Sequence, residues 1–173
     1  MKNINHILVP LFLLAFLRVA NNVLVGLATP LYYIEEGLNP TILGLIMSAT
    51  ASVYCFSPLL FRNVPKKIGM KNSLIISNSG FLIVQIGYQI SMDPILGYIL
   101  RLMDGVFLGL FWPVIQGYIS IISDFEGIRE NDELKDQFLR HYSLSWNMGG
   151  IISYALGTIV LFFIEDVLLI FDI

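Results

Sequence analysis

Residues 101–117 read RLMDGVFLGLFWPVIQG, inside an apolar run that extends from Ile95 to Ser123. Gly105, Gly109, Pro113 and Gly117 recur every four residues, so on a helix they stack into one ridge nearly bare of side chain, where a second helix can pack close. Arg101 stands one turn before the first glycine and Asp104 directly before it, and they are the only oppositely charged pair embedded in an apolar run. A charge at membrane depth costs at least about 2.5–3.5 kcal/mol, so such residues usually face a bundle interior or a watery cavity and serve a purpose. This helix is the functional suspect of the chain.

The composition puts that helix in a bilayer. Of 173 residues 56% are hydrophobic and 13% charged, with mean hydropathy +0.76, against about 45–50% apolar and about 25% charged in a soluble domain. Several apolar runs exceed the ~18–20 residues that cross hydrocarbon. The expected class is all-α, a polytopic membrane helix bundle forming one transmembrane domain. Cys55 is the sole cysteine and lies in an apolar run, so no intrachain disulfide forms and a packing role is expected. The start, MKNINHILVPLFLLAFL, has no small-residue cleavage site and its apolarity continues to Ile34, so it reads as a retained first helix.

Working outward, the pattern predicts spans at about 7–34, 41–61, 73–92, 95–123 and 144–164. The first carries Arg18, Asn21, Asn22, Thr29 and Pro30, and Arg18, Asn22 and Thr29 share a polar seam that should not face lipid. Asn39-Pro40 opens the second span, where Gly44, Ser48 and Ser52 make another ridge at spacing four. The third carries Asn78, Gln85 and Gln89, and Asp93-Pro94 turns the chain sharply into the fourth. In the fifth, Gly149, Ser153 and Gly157 repeat the small-residue spacing.

Two connectors are expected on the cytoplasmic side. Residues 62–72 hold Arg62, Lys66, Lys67 and Lys71 with no acid, and short loops rich in Lys and Arg stay inside. Residues 124–143 are polar, with NDELKDQFLRHY expected as a short surface helix at the interface. A cytoplasmic N-terminus then places Glu35-Glu36, Asp93 and Glu165-Asp166 outside, and every Lys and Arg between the spans falls inside. Residues 167–173 amount to about 10 Å of helix against ~30 Å of hydrocarbon. They read as the opening of an incomplete sixth helix, so the chain is expected to be truncated or split and to rely on other polypeptide.

With these residues laid out, the chain resembles the N-terminal half of a major facilitator superfamily transporter over essentially its whole length. Arg101, Gly105 and Gly109 are similar to the family's fourth-helix pattern, and Gly69-Met-Lys71-Asn-Ser-Leu74 resembles the end of its signature loop. Asn147-Met-Gly149-Gly150 with Gly157 resembles the glycine-rich fifth helix, and Ala28-Thr-Pro30-Leu-Tyr32 the end of the first. The pattern departs from the family where Arg62 and Lys66 stand in place of the loop's first glycine and its acid. Asn21 stands where drug–proton antiporters often carry an acid, and their fifth-helix proline is missing near Gly157. The resemblance implies two six-helix halves around a central cavity open alternately to either side, lined by helices one and four, with helices two and five tending to contact the other half. It also implies a plasma-membrane location.

The expected function is therefore secondary transport of a small solute by alternating access. Arg18 lies ~16 Å from the inner end of its helix and Asp104 ~14 Å from the outer end of its own, on helices ~40 Å long. Those depths miss by roughly 10 Å, so Asp104 is expected to pair with Arg101, leaving Arg18 to meet an anionic solute or a polar partner. Asn22, Trp112 and Gln116 complete the expected solute and ion pathway, with Trp146 and Asn147 as further cavity candidates. Gly105, Gly109, Pro113, Gly117, Gly149 and Gly157 are expected to serve packing or gating, and Lys66, Lys67, Gly69 and Lys71 the signature loop. Expected partners are the solute, a proton or sodium ion, the lipid bilayer, and a second six-helix half or membrane subunit. No enzyme signature, cofactor site, metal-ligand spacing or nucleic-acid-binding pattern is read. The alternative is a non-transporting membrane scaffold or assembly protein that retains the fold.

Overall fold

A computed structural model of the chain describes residues 5–124 and 132–163, all of them helix or short connection. Six helices are formed among the described residues: α1 (Asn5–Glu35), α2 (Pro40–Phe61), α3 (Val64–Ile68), α4 (Met70–Ile90), α5 (Pro94–Ser123) and α6 (Asp132–Phe163). Four of them hold a stretch long and apolar enough to cross a membrane: Val9–Glu35, Pro40–Ser57, Met70–Ile90 and Pro94–Ser123. Their outward faces are apolar too, with Leu60 73%, Ile86 53% and Ile90 77% exposed. In water such faces would drive aggregation, whereas hydrocarbon solvates them. The chain is a membrane-embedded helical protein. The span expected over 144–164 is described only as far as Phe163, and the expected opening of a sixth helix at 167–173 lies outside the described residues.

The helix ends follow local chemistry. Asn39 caps α2, its side chain accepting from the Thr41 N–H at 2.8 Å, and Pro40 takes the first helical position. Asp93 does the same for α5, accepting from Ile95 N–H at 2.9 Å and Leu96 N–H at 3.3 Å ahead of Pro94. Among the described residues Gly37 and Gly69 have positive φ, at 70° and 85°. Gly69 joins α3 to α4 in a backbone region that side chains avoid.

The described residues fall into two compact units. One comprises the end of α1 from Tyr32, then α2, α3, α4 and α5 as far as Tyr118. Tyr33, Ile46, Val84, Tyr88, Phe111 and Ile115 are its large, almost fully buried side chains. The other comprises α1 to Leu31, the end of α5 and α6. Here Gly149 lies over the α1 backbone, where a Cβ would come within 2.5 Å of the Phe16 carbonyl oxygen, and Gly157 faces Leu24 and Leu27. Ser145 donates to the Phe12 carbonyl, and the Phe12 ring stands 5.7 Å from Phe138 and 6.3 Å from Tyr142.

Two expectations need correction. The stretch 124–143 is not a loop holding a separate surface helix, because from Asp132 onward it forms the first turns of α6 without a break; residues 125–131 lie outside the described ones. It contains no proline or glycine after Asp132 and many strong helix formers. Asp132 and Glu133 sit in the first turn, where negative charge suits the helix dipole, and buried Phe138 ties the extension to α1. The loop 62–72 also contains the short helix α3, started by Pro65 near its N-terminus and closed by the Gly69 N–H donating to the Pro65 carbonyl at 3.0 Å.

Candidate functional site

Within its unit α5 is held on two sides by hydroxyls that donate to its backbone carbonyls. From α2, Thr50 donates to Arg101 O at 3.0 Å, and the Ser57 hydroxyl is shared between Val53 O of its own helix at 2.6 Å and Gly105 O at 3.1 Å. From α4, Ser77 donates to Phe107 O at 2.7 Å. Carbonyls already engaged in a helix keep a second lone pair, so each hydroxyl ties two helices together without breaking either. The approach needs the glycines: a Cβ on Gly105 would lie 2.5 Å from the Thr50 carbonyl oxygen, and one on Gly109 would enter the Ser57 side chain. Opposite, Gly80 of α4 receives the Phe107 ring and Gly87 receives Leu100.

Those last two contacts fix an antiparallel register of α4 on α5, and it brings a polar group together at one height. Arg101 and Asp104, three residues apart on α5, are 4% and 2% exposed. The Arg101 guanidinium also reaches the Met47 sulfur of α2 at 3.8 Å. Tyr88 of α4, 1% exposed, lies within electrostatic range of Arg101, Asp104 and Tyr33. The Tyr33 hydroxyl faces the Asp93 carbonyl at 3.5 Å. One turn before Tyr88, Gln85 is 9% exposed and its side-chain nitrogen has no hydrogen-bond partner. A buried amide without a partner costs about 1–3 kcal/mol, a cost that an incoming polar group would relieve.

The remaining expected residues are placed as follows. Trp112 is half-buried, its ring edge-on to Phe111 at 5.2 Å and 82°; Gln116 is exposed. Gly109 and Pro113 line a cavity of about 390 Å³ with Arg62 and Lys66, and Gly117 packs at the Met70 methyl. Lys66, Lys67, Gly69 and Lys71 are all exposed. Arg18 (3% exposed) and half-buried Asn22 belong to the other unit, as do Gly149 and Gly157. Trp146 and Asn147 are exposed on α6, and the Asn147 amide donates to the Ser143 carbonyl at 2.7 Å. Thr50, Ser57, Tyr33 and Tyr88 were not singled out for the site from sequence. Tyr88 lies three residues after Gln85, on the same face of α4, but a tyrosine in an apolar run reads equally as packing.

On α2 the ridge that packs is Ile46, Ala49, Thr50, Val53 and Ser57, whereas Gly44, Ser48 and Ser52 are exposed and the space beside Gly44 is open. Among the described residues no three His, Cys, Asp or Glu side chains gather where a metal ion would be held. A comparison with models of known protein families finds none that matches the chain, and a search of curated proteins finds no relative.

Proposed function

We propose that the chain is the N-terminal half of a secondary transporter of the major facilitator type, which moves a small solute across the plasma membrane by alternating access. The observation that carries this reading is Arg101 with Asp104, both buried in the first half of a helix long and apolar enough to cross a membrane, with Tyr88 and Gln85 on the neighbouring helix. Simple packing is met more cheaply by apolar side chains, and hydroxyls and small residues already join α5 to α2 and α4. In this proposal Asp104 pairs with Arg101 and exchanges a proton or sodium ion, Tyr88 and Gln85 turn toward the solute, and Arg18 contributes from the first helix. The N-terminus is cytoplasmic, on the side of the exposed cations Arg62, Lys66, Lys67 and Lys71. A second six-helix half completes the pathway.

The second reading is a non-transporting scaffold in which Arg101 and Asp104 form a permanent ion pair. It is favoured by the depth of their burial and by the Arg101–Met47 contact. Solute uptake into proteoliposomes, measured with and without an imposed proton or sodium gradient, separates the two. Transport should lose its gradient dependence in Asp104→Asn while helix content is kept. Gradient-driven transport unchanged in that variant removes the coupling role, and no flux of any solute tested leaves the scaffold.

A further inference from the structure

The cavity of about 390 Å³ lies away from the Arg101–Asp104 cluster, and two different kinds of side chain line it. Its walls are apolar: Phe61 at the end of α2, Met70 at the start of α4, and Leu110, Pro113 and Val114 of α5. Its lining also includes two cations, Arg62 and Lys66, both exposed. Volume of this order suits a small ligand or part of a larger one. Phe56, Leu59 and Leu60, in the turns of α2 that lead to the cavity, are 66%, 69% and 73% exposed. An apolar surface of that kind on a membrane-crossing helix is met by lipid chains. Arg62 follows the last residue of α2 and Lys66 lies in the last turn of α3, which is headgroup level for a helix whose apolar sequence runs to Phe61.

We infer that this cavity binds one anionic phospholipid of the surrounding leaflet, with an acyl chain against the half-buried Phe61, Met70 and Pro113 and the phosphate against Arg62 and Lys66. The pairing is by charge complementarity. Between Arg62 and Asn72 there are four cations and no carboxylate, so a zwitterionic or cationic headgroup gains less there. Basic pockets between membrane helices recognise lipid phosphates in this way. Neither the transport proposal nor the Arg101–Asp104 pair is involved, since the inference rests on membrane embedding alone.

The test uses the full chain, purified and reconstituted in nanodiscs that mix phosphatidylglycerol with phosphatidylcholine, with retained lipid counted by native mass spectrometry. Wild type should keep one phosphatidylglycerol in preference to phosphatidylcholine. Arg62→Gln with Lys66→Gln should weaken that preference roughly 30-fold, equivalent to about 2 kcal/mol at about 1 kcal/mol per basic residue and about 1.4 kcal/mol per tenfold. Lys67→Gln with Lys71→Gln removes the same charge from residues outside the cavity lining and should leave the preference within about threefold. Val114→Phe, which fills the cavity without touching a charge, should lower retention of both lipids, with helix content and thermal midpoint checked for each variant. Equal losses in the two charge pairs would mean diffuse attraction to an anionic surface and would overturn the site. Displacement of the lipid by millimolar inorganic phosphate would mean a free-anion site and would overturn it too.

Discussion

At the scale of single residues, the sharpest expectations concern groups that the surroundings leave no room to change. Gly69 holds φ 85° and ψ 153° at the α3–α4 junction, a region almost restricted to glycine where other residues cost about 1–3 kcal/mol. Gly69→Ala should lower unfolding stability by that amount in a detergent titration, although a methyl there meets nothing within 4 Å. The loss would be conformational, so a larger side chain should cost little more. For the charged residues, pairing of Arg101 with Asp104 predicts that Arg101→Met or Asp104→Leu alone destabilises by about 3–5 kcal/mol, because each leaves a buried charge uncompensated. The double substitution should cost clearly less than the sum, with a coupling of at least about 1 kcal/mol in a double-mutant cycle. Additive losses would show that the two charges do not see each other. Both charges were legible in the sequence because they interrupt an apolar run. Tyr88 and Tyr33 were not, since a tyrosine in such a run reads equally as packing or as a hydroxyl aimed at a polar neighbour, and only the fold of the neighbouring helix decides.

At the scale of elements, the helix boundaries were legible where a cap or a proline marks them. The span expected at 95–123 is Pro94–Ser123 and that at 41–61 is Pro40–Phe61, each opened by an Asx–Pro step whose side chain satisfies free N–H groups. The packing face of α2 was not legible. Gly44, Ser48 and Ser52 offer the smaller ridge, but Thr50 and Ser57 add hydroxyls that reach the carbonyls of Arg101 and Gly105, and the glycines opposite supply the space. Gly105→Ala should therefore push α2 away from α5 and destabilise by about 1–3 kcal/mol, whereas Gly44→Ala, in open space, should be neutral or slightly stabilising through helix propensity. Thermal unfolding of the two purified variants side by side checks this, and equal effects would contradict the assigned face. The start of α6 misled for a different reason. Charge and polarity in 132–143 resemble a solvated loop, yet the same residues are strong helix formers with a dipole-matched first turn, and one buried phenylalanine suffices to seat them on α1.

At the scale of the whole molecule, membrane embedding follows from four helices whose apolar stretches are long enough to cross and whose outer faces would be insoluble in water. Composition alone carried that conclusion, because burying so little charge among so much apolar surface is a property of the sum and needs no contact to be known. The function depends on something composition does not hold: whether water reaches the charges in the middle of the bundle. Cys55 is the one cysteine and is exposed, so Cys55→Ser gives a background on which single cysteines at positions 18, 85, 101 and 104 report on access, with Leu82→Cys on the outer face of α4 as a lipid-facing control. The measurement is reaction with a charged, membrane-impermeant thiol reagent applied in turn to each side of sealed vesicles. Transport by alternating access predicts that the four inner positions react from at least one side while position 82 stays unmodified, and silence at 18, 101 and 104 from both sides would contradict it.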